Sequence, residues 1–325
     1  MSVAVKNPGP SGSGSPDVGR GPATAYGAAL RTVTAASLIA VYLLVVLGDT
    51  VRVTESGMGC ASWPSCNGSL GLPLTYHAFL EQSHRYLAAV VTALIAVTLV
   101  GAWRHARGDR MVCSSAATAA GLIVVQVILG AITVFEHNAG WTVALHLAGS
   151  WLVLAAVTVT ALAVWLPSRP KALSGWLGLA AVGALFAVSI SGMLVLHGGA
   201  AAACPSWPIC GASRVSAGLV ALQYVHRSCV ALATALIVAA VIRIWNSASA
   251  GLADKALAVS AVLLLGCTAA LGAYVAVSGA PAAGQDAHLA VASALWITVV
   301  ALATCGISRS GGAELPAEAG PGLVA

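Results

Sequence analysis

Charged side chains are scarce in this sequence of 325 residues: Asp, Glu, Lys and Arg together make up 8%. A soluble domain carries roughly 25% charged residues, so the shortage excludes an ordinary cytosolic enzyme. The net charge of +5 is spread thinly along the chain, which argues against nucleic acid as a partner. Aromatic residues are also few, at 6%, whereas 59% of the residues are hydrophobic and the mean hydropathy is +0.91. Such a composition is typical of closely packed helices in a lipid bilayer.

The apolar residues form eight runs that are long enough to cross a hydrocarbon core of ~30 Å as helices. The runs cover approximately residues 30–48, 84–103, 111–135, 141–166, 173–196, 223–243, 256–277 and 286–307. They are continuous and lack the alternation that a membrane β-barrel requires. Outside them, residues 1–27 and 308–325 are predicted to be disordered tails, and the first is not expected to be a signal peptide.

The positions of Lys and Arg predict the orientation in the membrane. Eleven of the fifteen fall on the side shared by the N-terminus; the other four are Arg52, Arg85, Arg214 and Arg227. The protein is therefore predicted to lie in the plasma membrane with both termini in the cytoplasm. The long loops at 49–83 and 197–222 are predicted to face outward.

The two halves of the sequence repeat each other. The segment Cys60–Cys66 returns at Cys204–Cys210, His84 returns at His226, and His146 returns at His288. The offsets are 204 − 60 = 144, 226 − 84 = 142 and 288 − 146 = 142. Each half holds four helices, an even number, so the repeats share one orientation. We therefore predict an all-α membrane protein with two tandem four-helix bundles, residues 28–166 and 173–307.

Half of the eight cysteines lie in the outward loops, as the pairs Cys60 with Cys66 and Cys204 with Cys210. Disulfides persist on the oxidising side of a membrane, so two structural disulfides are expected there; a thiol metal site or a redox relay is the alternative. The other cysteines fall within predicted helices and are expected to be small buried hydrophobic residues. They are Cys113, Cys229, Cys267 and Cys305.

The repeated histidines are predicted to be metal or haem ligands, because an ionisable residue inside a membrane helix is costly to bury without a partner. His84 and His146 lie near the outer ends of the second and fourth helices, which run in the same direction, and His226 and His288 do so in the second half. Two facing histidines suit axial ligation of a haem iron, whereas zinc would want further protein ligands. A lone histidine of this kind would more often be a satisfied core residue. The histidines without a repeat partner are expected to be solvated; they are His77, His105, His137 and His197.

Polar residues flank the first histidine of each half. Arg85 and Arg227 follow it directly and are either partners of haem propionates or cations at the membrane interface. Glu81 precedes His84 by three residues and would share its helix face, while its counterpart Gln223 is uncharged. Glu81 is thus either a solvated carboxylate at a helix start or a sign that the halves have unequal roles.

Together these features resemble the haem A synthase family. The resemblance rests on the eight helices, the Glu-x-x-His-Arg motif at 81–85, the four histidines and the cysteine pairs, and it covers about residues 30–307. It implies a membrane oxidoreductase that oxidises the C8 methyl group of haem O to the formyl group of haem A. It also implies a division of labour between the halves. The substrate haem would lie in the first half and a haem b cofactor in the second.

In this interpretation His84, His146 and Arg85 bind the substrate haem, and Glu81 is catalytic. His226, His288 and Arg227 bind haem b. If both histidines hold the substrate iron, no coordination site is free there for dioxygen. Either one ligand swings away, or the ring is oxidised outright while Glu81 takes the methyl proton or stabilises positive charge.

Two other functions fit the histidine pattern: an electron-transfer dihaem b-type cytochrome, and a haem transporter or chaperone. The contrast between Glu81 and Gln223 favours the oxidase, since a symmetrical relay has no evident need for one carboxylate. Paired helix breaks, which would favour transport, are not seen in the sequence. An electron acceptor and a haem O-producing membrane enzyme are the further partners that an oxidase would need.

Overall fold

The computed structural model describes residues 26–166, 175–211, 216–248 and 250–307. In these ranges the chain forms eight α-helices, each long and apolar enough to span a membrane. They are α1 (Ala28–Val53), α2 (Tyr76–His105), α3 (Arg110–Phe135), α4 (Gly140–Trp165), α5 (Gly175–His197), α6 (Ala217–Trp245), α7 (Leu252–Val277) and α8 (Ala282–Ile307). The predicted all-α class with eight apolar spans is confirmed, and the chain is a multi-pass membrane protein.

Several helices begin before the apolar runs that predicted them. α2 begins at Tyr76 rather than at 84, and α6 begins at Ala217 rather than at 223. Hydropathy marks only the part of a helix that lies in hydrocarbon, whereas the helix itself continues into the polar interface. The predicted outward loops shorten accordingly, to 54–75 and 198–216.

The helices form two groups of four, and within each group every helix packs against two others to close a ring. α1 packs against α2 and α4, and α3 packs against the same two helices; α5 to α8 are arranged in the same way. α4 and α8 are the most buried and meet at the centre, where the rings of Trp151 and Trp296 cross edge to face at 5.1 Å. Trp296 also donates a hydrogen bond from Nε1 to the carbonyl of Trp151, at 3.0 Å. The assignment of separate roles to residues 28–166 and 173–307 stays a prediction.

The tails predicted at 1–27 and 308–325 lie outside the described residues, apart from Tyr26 and Gly27. Of the cysteines within helices, Cys113 and Cys229 are half-buried, whereas Cys267 is exposed. The prediction of burial is therefore wrong for Cys267, because a thiol is apolar enough to face lipid as well as a protein core. Cys305 lies in α8, and its side chain is outside the described part of the chain.

Candidate functional site

Two disulfide-bonded loops lie at one end of the helix bundle, which we call the disulfide end. The first loop, 54–75, joins α1 to α2 and carries the disulfide Cys60–Cys66. The second, 198–216, joins α5 to α6 and carries the disulfide Cys204–Cys210. Both predicted disulfides are confirmed.

Glu81 and Arg85, one turn apart in α2, hold the first loop in place. Glu81 is buried, and its carboxylate accepts hydrogen bonds from the backbone N–H of Cys60 at 2.8 Å and from Arg85 at 2.5 Å. The Arg85 guanidinium also donates to the loop carbonyls of Ser62, at 2.7 Å, and Ser65, at 3.2 Å. Glu81 is thus not the solvated helix-start carboxylate that was one of the two expectations. It belongs to a buried ion pair.

The matching residues of α6 hold the second loop, but Gln223 bonds to it with the polarity opposite to that of Glu81. Gln223 is also buried, but its Nε2 donates to the carbonyls of Ala200, at 2.7 Å, and Ala201, at 3.2 Å. Arg227 donates to the carbonyl of Pro208 at 2.9 Å. The second loop therefore has no carboxylate at the position where the first has Glu81.

The four repeated histidines lie in pairs, one pair in each half of the chain. His84 and His146, from α2 and α4, are close enough to interact electrostatically, and His226 and His288, from α6 and α8, are as well. In the second half, Nδ1 of His226 is 3.0 Å from the hydroxyl of Ser191 on α5. The structure thus brings together the two repeated histidines of each half, which had been predicted to face each other across parallel helices.

A cavity of about 870 Å³ lies beside the first histidine pair. His84, His146, Glu81, Arg85 and Gln126 line it together with many aliphatic side chains of α1 to α4. Its volume and its mostly apolar lining with a few convergent polar groups are typical of a site for a small molecule or cofactor. The cavity is therefore the candidate substrate site.

Two charged residues that the sequence analysis had passed over also line this cavity. Arg52 donates to Asp49, at 2.7 Å, and to Gln285 of α8, at 3.3 Å, while Asp49 is buried. Their signal was a pair of opposite charges at the end of an otherwise apolar run, where polar groups commonly have a function. Neighbouring Thr50 donates to Asp286 at 3.0 Å. Hydrogen bonds between polar side chains therefore join α1 to α8.

Of the four histidines without a repeat partner, three do not line the cavity. His77, His105 and His137 are exposed, as expected. His197 is also exposed, but it contributes to the rim of the cavity from the end of α5.

Four glycines that were not predicted to belong to the site are also related by the sequence repeat. Each lies against one of the paired histidines, on the helix that precedes it. The pairs are Gly48 with His84, Gly130 with His146, Gly192 with His226 and Gly272 with His288. The glycines are spaced like the other repeated residues, because 192 − 48 = 144 and 272 − 130 = 142.

The donor set fits a haem better than a bare metal ion. Within the described residues, no group of three or more His, Cys, Asp or Glu side chains is placed to hold a metal. Two imidazoles suit an iron whose remaining ligands are porphyrin nitrogens. In His84 and His146 the Nδ1 atom is enclosed by protein without a hydrogen-bond partner among the described residues, which leaves Nε2 as the nitrogen for a ligand. The first cavity and its histidines therefore fit a haem.

A family model described as COX15-CtaA, cytochrome oxidase assembly protein, matches residues 31–78 and 74–300 of the chain. The chain belongs to this family. The chain is also similar to the heme A synthase of Symbiobacterium thermophilum, which is 30% identical over 68% of this chain and 76% of the relative. The heme A synthases of Lysinibacillus sphaericus and Geobacillus thermodenitrificans are 31% and 28% identical. The matches to these two relatives cover 56% and 57% of this chain and span 62% of each relative's length.

The match to the COX15-CtaA family includes the whole candidate site. Glu81 and all four paired histidines fall within residues 74–300. The family resemblance inferred from the sequence motifs is therefore confirmed. The roles of the individual residues are inferences from their geometry.

Proposed function

We propose that this protein is a haem A synthase, a membrane oxidoreductase that oxidises the C8 methyl group of haem O to a formyl group. The observation that carries the proposal is the cavity that two paired histidines, His84 and His146, and the buried carboxylate of Glu81 line together. In a member of the COX15-CtaA family, this combination suits an enzyme that oxidises a substituent of a bound haem. It suits a haem carrier or an electron-transfer cytochrome less well.

In this proposal the first half, residues 28–166, binds the substrate. His84 and His146 ligate the iron of haem O and hold the ring at a fixed height in the cavity. Glu81 then acts on the methyl group, either by taking the proton that leaves the carbon or by stabilising positive charge that develops there. Both roles use the carboxylate in its charged form, and the Arg85 guanidinium is its countercharge.

The second half, residues 173–307, would hold a haem b between His226 and His288. Bound there, haem b would supply electron-transfer chemistry. The Ser191 hydroxyl would orient the His226 ring, as hydrogen-bond partners of ligand imidazoles commonly do. Gln223 replaces the carboxylate in this half, which agrees with a haem that carries electrons without being altered.

Arg85 and Arg227 are proposed to act at the rim of each site. Pairing with haem propionates stays a prediction for both. Their bonds to loop carbonyls support a second role, which is to hold each disulfide loop over its site.

We further propose that the disulfide end faces outward and that both termini lie in the cytoplasm. The disulfides support this orientation, because thiols stay reduced in the cytoplasm. The haem sites would then lie toward the outer face of the cell membrane. A haem O-producing membrane enzyme would supply the substrate, water would supply the oxygen atom of the formyl group, and an electron acceptor would take the electrons that leave the methyl carbon.

The proposal can be tested in a host that makes haem O but no haem A. Expression of the chain should cause haem A to appear in extracted membranes, and His84→Ala expressed to the same level should not. Haem O that stays unconverted in membranes with folded wild-type protein would contradict the proposal. A protein that then contained haem b alone would be an electron-transfer cytochrome, and one that released haem O intact to an acceptor would be a transporter.

A further inference from the structure

The glycine that faces each paired histidine leaves the ring no spare room. A methyl group added at Gly272 would stand 3.0 Å from Cε1 of His288, and one added at Gly48 would stand 3.0 Å from Cε1 of His84. The corresponding distances are 3.3 Å from Gly192 to His226 and 3.4 Å from Gly130 to His146. In all four pairs the same edge of the imidazole, at Cε1, faces the glycine.

The distances at Gly48, Gly192 and Gly272 are shorter than an ordinary carbon–carbon contact, which is optimal at about 3.5–4.0 Å, whereas the distance at Gly130 is that of an ordinary contact. An alanine at Gly48 or Gly272 would therefore push the ring, or the helix that carries it, aside. Sites that bind a metal or a substrate depend on ligands held to within about 0.5 Å and 10–20°. A displacement of a few tenths of an ångström therefore uses up much of this tolerance, and a tilt of the ring adds to it.

Close approach to a glycine is not confined to the paired histidines, since a methyl group added at Gly101, Gly149 or Gly178 would also meet a neighbouring atom closely. Other glycines of the same helices have open space around them. Gly121 in α3, Gly183 in α5 and Gly266 in α7 have no atom within 4 Å of an added methyl group. Opposite the paired histidines, contact with a glycine occurs four times, in both halves of the chain, and it is tighter than ordinary at Gly48, Gly192 and Gly272.

We propose that Gly48, Gly130, Gly192 and Gly272 are positioning residues that set the place and orientation of the four ligand imidazoles. This inference rests on the proposed function, in which those imidazoles bind haem iron. Each glycine lets the ring lie directly against the backbone of the preceding helix. Contact with that helix then limits where the ring can lie.

The sharpest test compares two substitutions in α7 of the purified full-length protein with its own haem. Gly272→Ala places a methyl group against His288, and Gly266→Ala is the matched control with open space around it. We expect Gly272→Ala to shift the low-spin electron paramagnetic resonance signal of the oxidised second-half haem and to weaken haem retention by about tenfold. Changes in the groups that orient metal ligands typically cost 10–100-fold in affinity. Gly266→Ala should match the wild type in both respects.

A second pair of variants in α5 makes the test graded. Gly192→Ala should cause a smaller change of the same kind, because its methyl group would be 3.3 Å from His226, and Gly183→Ala should cause none. This pair also decides the question if Gly272→Ala does not accumulate in membranes.

Wild-type haem content and signal in both Gly272→Ala and Gly192→Ala would overturn the inference, as would equal changes in the two control variants. The His288→Ala variant separates this failure from failure of the proposed function. If His288→Ala removes the signal while the glycine variants keep it, only the positioning role is wrong. If His288→Ala also keeps it, haem ligation itself is wrong.

Discussion

At the residue scale, the contrast between Glu81 and Gln223 separates the two sites most clearly. The two side chains are buried at matching places, but the carboxylate accepts from its loop and the amide donates to its loop. Because the bonding has opposite polarity, neither residue can replace the other without the loss of a hydrogen bond. The asymmetry therefore lies in the local structure as well as in the charge.

Glu81→Gln should allow the protein to bind haem O but to form little or no haem A. The amide can still accept from Cys60, but its NH₂ group would face the donors of Arg85, and the negative charge is gone. Each tenfold loss of rate corresponds to about 1.4 kcal/mol of transition-state stabilisation. Extraction and chromatography of the bound haems measures both effects. Gln223→Glu is the matched control, since it should not create a second active site.

Arg85→Leu distinguishes catalysis by Glu81 from mere support of the loop. This change removes the guanidinium bonds to the loop and keeps the carboxylate. If Glu81 acts on the substrate, Glu81→Gln should lower haem A formation more than Arg85→Leu does. Equal losses would show that Glu81 acts only together with Arg85, and normal haem A formation by Glu81→Gln would remove the main reason to prefer an oxidase.

The histidine variants should affect different haems. His226→Ala or His288→Ala should remove or distort the haem b absorption, because a buried axial ligand is lost, while the protein stays in the membrane. His84→Ala or His146→Ala should impair handling of the substrate haem and spare most of the haem b signal. Optical spectra of the four purified variants provide the measurement. Loss of one and the same species from all four would be inconsistent with two independent sites.

At the element scale, the loops should owe part of their shape to the disulfides. Intact-mass and peptide analysis of unreduced protein should find Cys60 joined to Cys66 and Cys204 joined to Cys210. Each closed loop is short, so the chain-entropy effect on stability is about 2–3 kcal/mol at most. Free thiols at all four positions, in protein taken from oxidising membranes, would contradict the two disulfides.

The helices show how far the sequence alone could predict this structure. Apolar runs locate all eight spans, because lipid requires about 20 apolar residues in a row. They miss the polar first turns, which is why α2 starts at Tyr76 instead of 84. The repeat identified the histidines and Glu81, but the bonds of Arg85 to loop carbonyls depend on how the loop folds back. The Asp49–Arg52 pair was hidden because it has no counterpart in the second half, where Met193 and Leu196 occupy the offset positions.

At the scale of the whole molecule, the orientation can be tested with two exposed positions at opposite ends of the bundle. Leu74→Cys lies in the first disulfide loop, and Gly108→Cys lies in the turn between α2 and α3. In intact cells, a thiol reagent that does not cross membranes should label the first and spare the second, relative to the unsubstituted protein. The reverse labelling would show that the positive residues do not face the cytoplasm.

The account places unlike haems in two similar halves, and the haem content of the purified protein tests that claim most directly. Protein from cells that produce haem O should be extracted and its haems identified by chromatography and mass spectrometry. We predict haem b together with haem O or haem A, with the haem O and haem A lost in protein that carries His84→Ala and His146→Ala. A protein that contains haem b alone, despite an ample supply of haem O, would contradict the account and indicate a symmetrical electron relay.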